Sequence, residues 1–161
     1  MNVDGFHEQY RDARELIPAD APEPRGRSVS TTGYVDASHA PNKVTRRSHT
    51  GYVIFVNKAP VHWFSKRQPR GLRYKLRMFG VPISGPANMY CDNEAVYKNV
   101  AVPSSVLSKK MHSISYHFCR EAVAGGVCRV AKEDTLTNLA DLFTKILSRA
   151  RREDLLDRFM Y

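Results

Sequence analysis

The stretch Gly33–Gln68, GYVDASHAPNKVTRRSHTGYVIFVNKAPVHWFSKRQ, carries the pattern from which the fold can be read. Thr32–Asp36 is a short strand-like run that delivers a single acid, Asp36, into the small residues Ala37 and Ser38. Thr50–Asn57 is almost continuously apolar, which predicts a strand in the middle of a sheet. Pro60–Ser65 alternates and exits through the basic residues Lys66 and Arg67 to Gln68. Asn57-Lys58 between these two runs predicts a hairpin. An acid at the end of a buried strand needs a partner, because an unpaired buried carboxylate is expensive. Two partners suit it: a Lys or Arg, or a divalent cation shared with other acids.

The charge is unevenly spread. The 161 residues hold 25 Lys and Arg against 16 Asp and Glu, a formal charge of +9. Residues 37–91 contain no acid at all, yet include Lys43, Arg46, Arg47, Lys58, Lys66, Arg67, Arg70, Arg73, Lys75 and Arg77. Such a block predicts a polyanionic partner, nucleic acid first, with a merely solvated basic face as the plain alternative. Few acids lie nearby in sequence to pair with these side chains. A membrane contact is disfavoured: no amphipathic anchor accompanies the block, and the longest apolar run, Tyr52–Val56, is far too short to span a bilayer. The charged N-terminus has no signal-peptide pattern. Cys91, Cys119 and Cys128 show no CxxC spacing and suit a reducing, intracellular setting.

The remaining elements follow in order. Residues 1–31 are expected to be a lead-in, with a short polar helix over Phe6–Leu16 and a proline-rich extended linker after it. The domain is expected over 32–161. Leu72, Leu76 and Phe79 place an apolar stripe on a helix within Pro69–Gly80. Asn88–Asp92 is a short strand ending in a second acid, and Asp92 is the expected start of a helix over Asn93–Val100. The longest helix is expected over Ser108–Ala124, with Lys109, Lys110 and His112 in its first turn and Gly125-Gly126 ending it. After a last strand, Val127–Val130, Thr137 is the expected cap of a helix through Leu147 that carries Asp141. A final helix, over about 151–159, offers Leu155, Leu156 and Phe159 as its packing stripe. The sum is a mixed α/β sheet with helices on its faces. Acids at the ends of two adjacent parallel strands and at the head of a helix can converge. Such oxygen-rich sites suit Mg²⁺, and paired ions of this kind cleave phosphodiesters.

Six motifs stand in a recognisable series: Tyr34-Val35-Asp36-Ala37; Thr45-Arg46-Arg47-Ser48 with Gly51-Tyr52-Val53; Trp63-Phe64-Ser65-Lys66-Arg67-Gln68; Tyr90-Cys91-Asp92-Asn93; Tyr116-His117 with Arg120-Glu121; and Asn138-Leu139-Ala140-Asp141-Leu142-Phe143-Thr144-Lys145. The series resembles the ribonuclease H domain at the end of copia-type retrotransposon Pol polyproteins and covers roughly residues 32–147. The resemblance implies an RNase H-like fold with sheet order 3-2-1-4-5. It implies cleavage of the RNA strand of RNA–DNA hybrids with two Mg²⁺ ions, Mn²⁺ being an alternative. It also implies an upstream reverse transcriptase domain and an intracellular location in the cytoplasm, a virus-like particle or the nucleus. Asp36, Asp92 and Asp141 match three of the family's catalytic, metal-binding acids, and Asn138 matches the Asn three residues before the last of them. Arg46, Arg47, Lys66, Arg67, Asn93 and Asn138 are the candidate nucleic-acid contacts.

The family's fourth metal ligand, a Glu on a long helix after the third strand, has no counterpart. Gln68 is followed directly by Pro69-Arg70-Gly71-Leu72, so the first crossover helix is expected to be truncated. Glu94 is the nearest substitute but is expected to face solvent. Ile146 and Ser148 stand where the family usually has prolines. These departures leave two expectations: an impaired ribonuclease H, or a non-catalytic nucleic-acid-binding remnant. An integrase on the same fold would need a Glu where Cys128 stands, and a His/Cys zinc module.

Overall fold

Five strands form one mixed sheet in the order β3-β2-β1-β4-β5, as seen in a computed structural model that describes residues 10–38, 49–64, 70–105 and 113–160. The strands are β1 (Thr31–Ser38), β2 (His49–Val56), β3 (Ala59–Phe64), β4 (Ala87–Cys91) and β5 (Cys128–Lys132). The first three pair antiparallel; β4 runs parallel to β1 and β5 parallel to β4. The helices are α1 (Arg70–Met78), α2 (Glu94–Ala101), α3 (Ser113–Ala124) and α4 (Arg149–Met160), with a 3₁₀ turn at Leu139–Phe143. This is the five-stranded RNase H-like arrangement implied by the motifs; β2 is an interior strand paired on both sides, as its apolar run suits, and β1 is the middle one. The β2–β3 turn places Asn57 at φ 55°, a left-handed conformation that Asn tolerates better than most residues.

The two faces of the sheet are covered differently. On one, Val53, Phe55, Leu139 and Leu155 form a buried cluster, with Tyr34, Leu142, Phe143, Leu147 and Phe159 packed around it. The Phe159 ring meets Phe55, Phe143 and Trp63 edge-on, with centroids about 6 Å apart. Trp63 is thus an edge packing residue, half exposed. Of the expected α4 stripe, Leu155 is fully buried while Leu156 is exposed, since one residue step turns a side chain about 100° around a helix.

On the other face, α2 and α3 pack on β4 and β5 through Val100, Val123, Cys128 and Val130. A cavity of about 220 Å³ lies between these helices and the sheet, lined by Val35, Met89, Cys91, Val96, Phe118 and Ala122 among others. Among the described residues, the helix in the crossover from β3 to β4 is the nine-residue α1. Of its expected stripe, Leu72 and Leu76 are half-buried. Phe79 is exposed, while Arg73 is buried and donates to both oxygens of Glu15, at 2.9 and 2.8 Å. Arg77 adds a 2.6 Å bond to the same carboxylate.

The lead-in therefore lies against the domain, and the described part of the expected Phe6–Leu16 helix, Tyr10–Leu16, contains a turn and no helix. Tyr10 hydrogen-bonds His117 at 2.8 Å, and Val29 bridges to Ile83.

Helix ends also differ from expectation in detail. Asn93, not Asp92, caps α2 by accepting from the N–H groups of Ala95 and Val96. Gly126, at φ 67°, closes α3 with Val127 N–H donating to Ala122 O and Gly126 N–H to Val123 O, the paired bonds of a glycine-terminated helix. The expected first turn of that helix, Lys109–His112, lies outside the described residues. Thr137 does not start a helix to Leu147. Its hydroxyl donates to Glu133 at 2.6 Å, Asn138 is the cap, and a single 3₁₀ turn follows.

Candidate metal centre

Register brings the first two acids together. Val35 on β1 pairs with Cys91 on the parallel β4, so the next residues stand side by side at the carboxyl end of β4: Asp36, still paired with Gly51 of β2, and Asp92, just past its strand. That end is where ligands bind in open α/β sheets. Asp141 reaches the same point from the 3₁₀ turn, which sits over β1 and β2. Asn138 fixes that turn: its Oδ1 accepts from Ala140 N–H at 3.1 Å, and its amide donates to Val35 O at 3.2 Å. The turn is thus tied to the residue preceding Asp36. Carboxylate oxygens of Asp36, Asp92 and Asp141 all lie within 4.8 Å of one another.

Asp36 and Asp141 are buried and Asp92 nearly so, with side chains 6%, 0% and 10% exposed. Three carboxylates this close repel, and the chain supplies cations among them. Lys145 Nζ lies 2.7 Å from Asp141 Oδ1, 3.4 Å from Asp92 Oδ2 and 3.6 Å from Asp36 Oδ2. Arg151 donates to the second oxygen of Asp141 at 2.8 Å, and the Thr144 hydroxyl donates to Asp36. Burial pushes the Asp141 carboxyl up from its ordinary value; the bond from Lys145 opposes that, and the neighbouring Asp36 and Asp92 add to it. Burial alone would lower the Lys145 amine. The hydrogen bond to Asp141 and the fields of the three acids outweigh it and hold the amine above its ordinary value.

The sequence-derived site thus divides. Asp36, Asp92 and Asp141 come together. Asn138 is fully buried, with its side-chain oxygen and amide both engaged, and braces the turn. Asn93 stands beside Asp92, but its side-chain oxygen is committed to the α2 cap. Arg46, Arg47, Lys66 and Arg67 lie outside the described residues. Glu94 pairs with Lys98 at 2.7 Å and Lys132 at 3.4 Å on an exposed face, so it does not replace the absent Glu. Among the described residues no fourth acid joins the cluster, and the remaining segments contain only Asp4 and Glu8.

Sequence reasoning missed Thr144, Lys145 and Arg151. The first two stand inside the quoted Phe-Thr-Lys motif, and Lys145 is four residues after Asp141, but nothing local marks Arg151.

No helix among the described residues is long and apolar enough to cross a membrane. No family model matches the chain. It is 31% identical over 146 residues to the retrovirus-related Pol polyprotein from transposon RE1 of Arabidopsis thaliana, and 30% identical to that from transposon RE2 of the same plant. Each match covers 78% of this chain and 10% of the relative, so the chain spans about a tenth of those polyproteins. Since 78% of 161 residues is about 126, the relatives carry about 20 residues within the matched span that this chain lacks.

Proposed function

This chain belongs with one region of the copia-type retrotransposon Pol polyproteins, and we propose that it is their ribonuclease H, acting weakly on the RNA strand of RNA–DNA hybrids. The observation that carries the reading is the convergence of Asp36, Asp92 and Asp141 at the carboxyl end of β1 and β4. Three carboxylates gathered within 4.8 Å, two of them buried, fit a hard divalent cation, since Mg²⁺ or Mn²⁺ takes oxygen ligands and leaves positions for water and substrate phosphates. These three residues would hold it. The bound ion would supply a Lewis acid and an activated water for phosphodiester hydrolysis. The chain's own residues do the positioning. Asn138 and Thr144 lock the 3₁₀ turn and β1 together, and Arg151 keeps the buried Asp141 oriented.

The weakness follows from the missing carboxylate. A two-ion site short of one ligand holds its second ion poorly, because neither protein oxygens nor protein charge remain to compensate it. The basic residues Arg46, Arg47, Lys66 and Arg67, which precede β2 and follow β3 in the sequence, would grip phosphates without regard to base sequence, with affinity falling as salt rises. The hybrid itself would be recognised by groove shape and 2′-hydroxyls. An upstream reverse transcriptase domain would deliver that hybrid.

One observation favours the second reading, a nucleic-acid-binding remnant without activity: a lysine, not an acid, completes the cluster. Incubating the chain with labelled RNA–DNA hybrid and Mg²⁺, beside Asp92→Asn, separates the two. Slow cleavage lost in the variant supports the nuclease. Binding with identical traces for both proteins leaves the remnant. Inserting a Glu-bearing helix after Gln68 is expected to raise cleavage.

A further inference from the structure

Lys145 stands where a bound ion would have to be. Its Nζ contacts all three aspartates at 2.7–3.6 Å, the same three residues whose carboxylates offer oxygens within 4.8 Å of one another. An ammonium and a divalent ion cannot share that space, because both are cationic and Mg²⁺ draws its oxygens to about 2.1 Å. We infer that Lys145 is the resident cation of the cluster and that it exchanges for a single divalent ion. This rests on the metal-binding reading above and adds the occupant it must displace.

The asymmetry of burial says which partner moves. The Lys145 side chain is 34% exposed, whereas the acids are 10% exposed or less. The amine can retreat into water along its flexible stem, while the carboxylates are fixed on two strands and a capped turn. Arg151 is bound to Asp141 Oδ2 and also to the backbone carbonyl of Thr135, so it stays.

Charge then sets the stoichiometry. With Lys145 in place, three carboxylates face two cations. With Lys145 withdrawn, three carboxylates, Arg151 and one divalent ion are neutral together. A second divalent ion would leave two positive charges uncompensated in a largely dry site, which is unfavourable. In the absence of nucleic acid the chain therefore binds one ion, and binds it against the competition of its own lysine.

The test is a Mn²⁺ titration of the full chain, with free Mn²⁺ followed by electron paramagnetic resonance, beside Lys145→Gln and Lys145→Arg. The wild type is expected to bind one ion. Lys145→Gln is expected to bind it about tenfold more tightly or better, and Lys145→Arg to stay within about threefold of the wild type, because only the first removes the competing charge. Acylation of the Lys145 amine in the wild type is expected to speed up when Mn²⁺ is added, a readout that stands even where a variant fails to fold. Unchanged affinity in Lys145→Gln, or acylation that Mn²⁺ does not accelerate, overturns the exchange and leaves the metal site standing. Two ions bound by the wild type overturns the stoichiometry. No saturable binding by any of the three proteins overturns the metal reading and the exchange with it.

Discussion

Replacing Glu15 by Gln tests how the short crossover is stabilised. The carboxylate receives a forked pair of bonds from Arg73 and a third from Arg77, and the Arg73 side chain is only 4% exposed. Breaking a buried ion pair by removing one partner typically costs about 3–5 kcal/mol, because the other charge is left uncompensated. Here Arg73 keeps two other acceptors, Thr31 Oγ1 at 3.3 Å and Gly85 O at 3.1 Å, and Gln retains one oxygen. The lower end, about 3 kcal/mol, is therefore expected. For a domain of this size that corresponds to a fall in Tm of roughly 6–12 °C.

The pH dependence has a definite sign. Burial opposes the Glu15 charge, but the hydrogen bonds and charges of Arg73 and Arg77 outweigh it and hold the carboxyl below its ordinary value of 4.5. A depressed folded-state pKa gives stability that is present above the unfolded value and is lost as pH falls through the folded one. Thermal melts of wild type and Glu15→Gln followed by circular dichroism are expected to differ most at pH 7 and to converge as pH drops below 4.5. In a cycle with Arg73→Met, the two substitutions should be clearly non-additive. Equal melting temperatures at pH 7, or a gap that widens on acidification, would refute the role given to this pair.

Three further outcomes are expected. Gly51→Ala would place a Cβ 2.5 Å from Thr144 Cγ2 and 3.0 Å from Phe143 Cβ; denaturant unfolding should show a loss of about 1–3 kcal/mol, and Mn²⁺ affinity should fall as the Asp141 turn is pushed outward. Asn138→Ala removes the cap of that turn and leaves Val35 O and Ala140 N–H without their side-chain partner; unfolding should show a loss of about 2–3 kcal/mol, again with weaker Mn²⁺ binding. Hybrid affinity measured by fluorescence anisotropy should fall linearly with the logarithm of salt concentration. Replacing both Arg46 and Arg47 by Gln should make that slope shallower, and an unchanged slope would remove these residues from the interface.

Sequence alone determined the sheet. The continuous run of β2, the Asn-Lys turn and the short apolar segments carrying Asp36 and Asp92 report strands and a mixed sheet locally, while the strand order and the meeting of the acids came from the resemblance carried by the six motifs. Helix content was read less well where polar groups decide it: Thr137 and Asn138 are adjacent capping residues, and in the fold the Thr137 hydroxyl is taken by Glu133 while Asn138 caps the turn and reaches Val35 O. What the tertiary structure alone decided is the identity of the counter-charges. Arg73 and Glu15 are 58 residues apart, and Thr144 and Asp36 are 108 apart. Periodicity records whether a position is buried but not which distant charge will meet it there. The choice between a basic side chain and a metal as the partner of Asp36 was open in the sequence. In the fold a lysine holds that place, because a capped turn carries it within reach of all three acids.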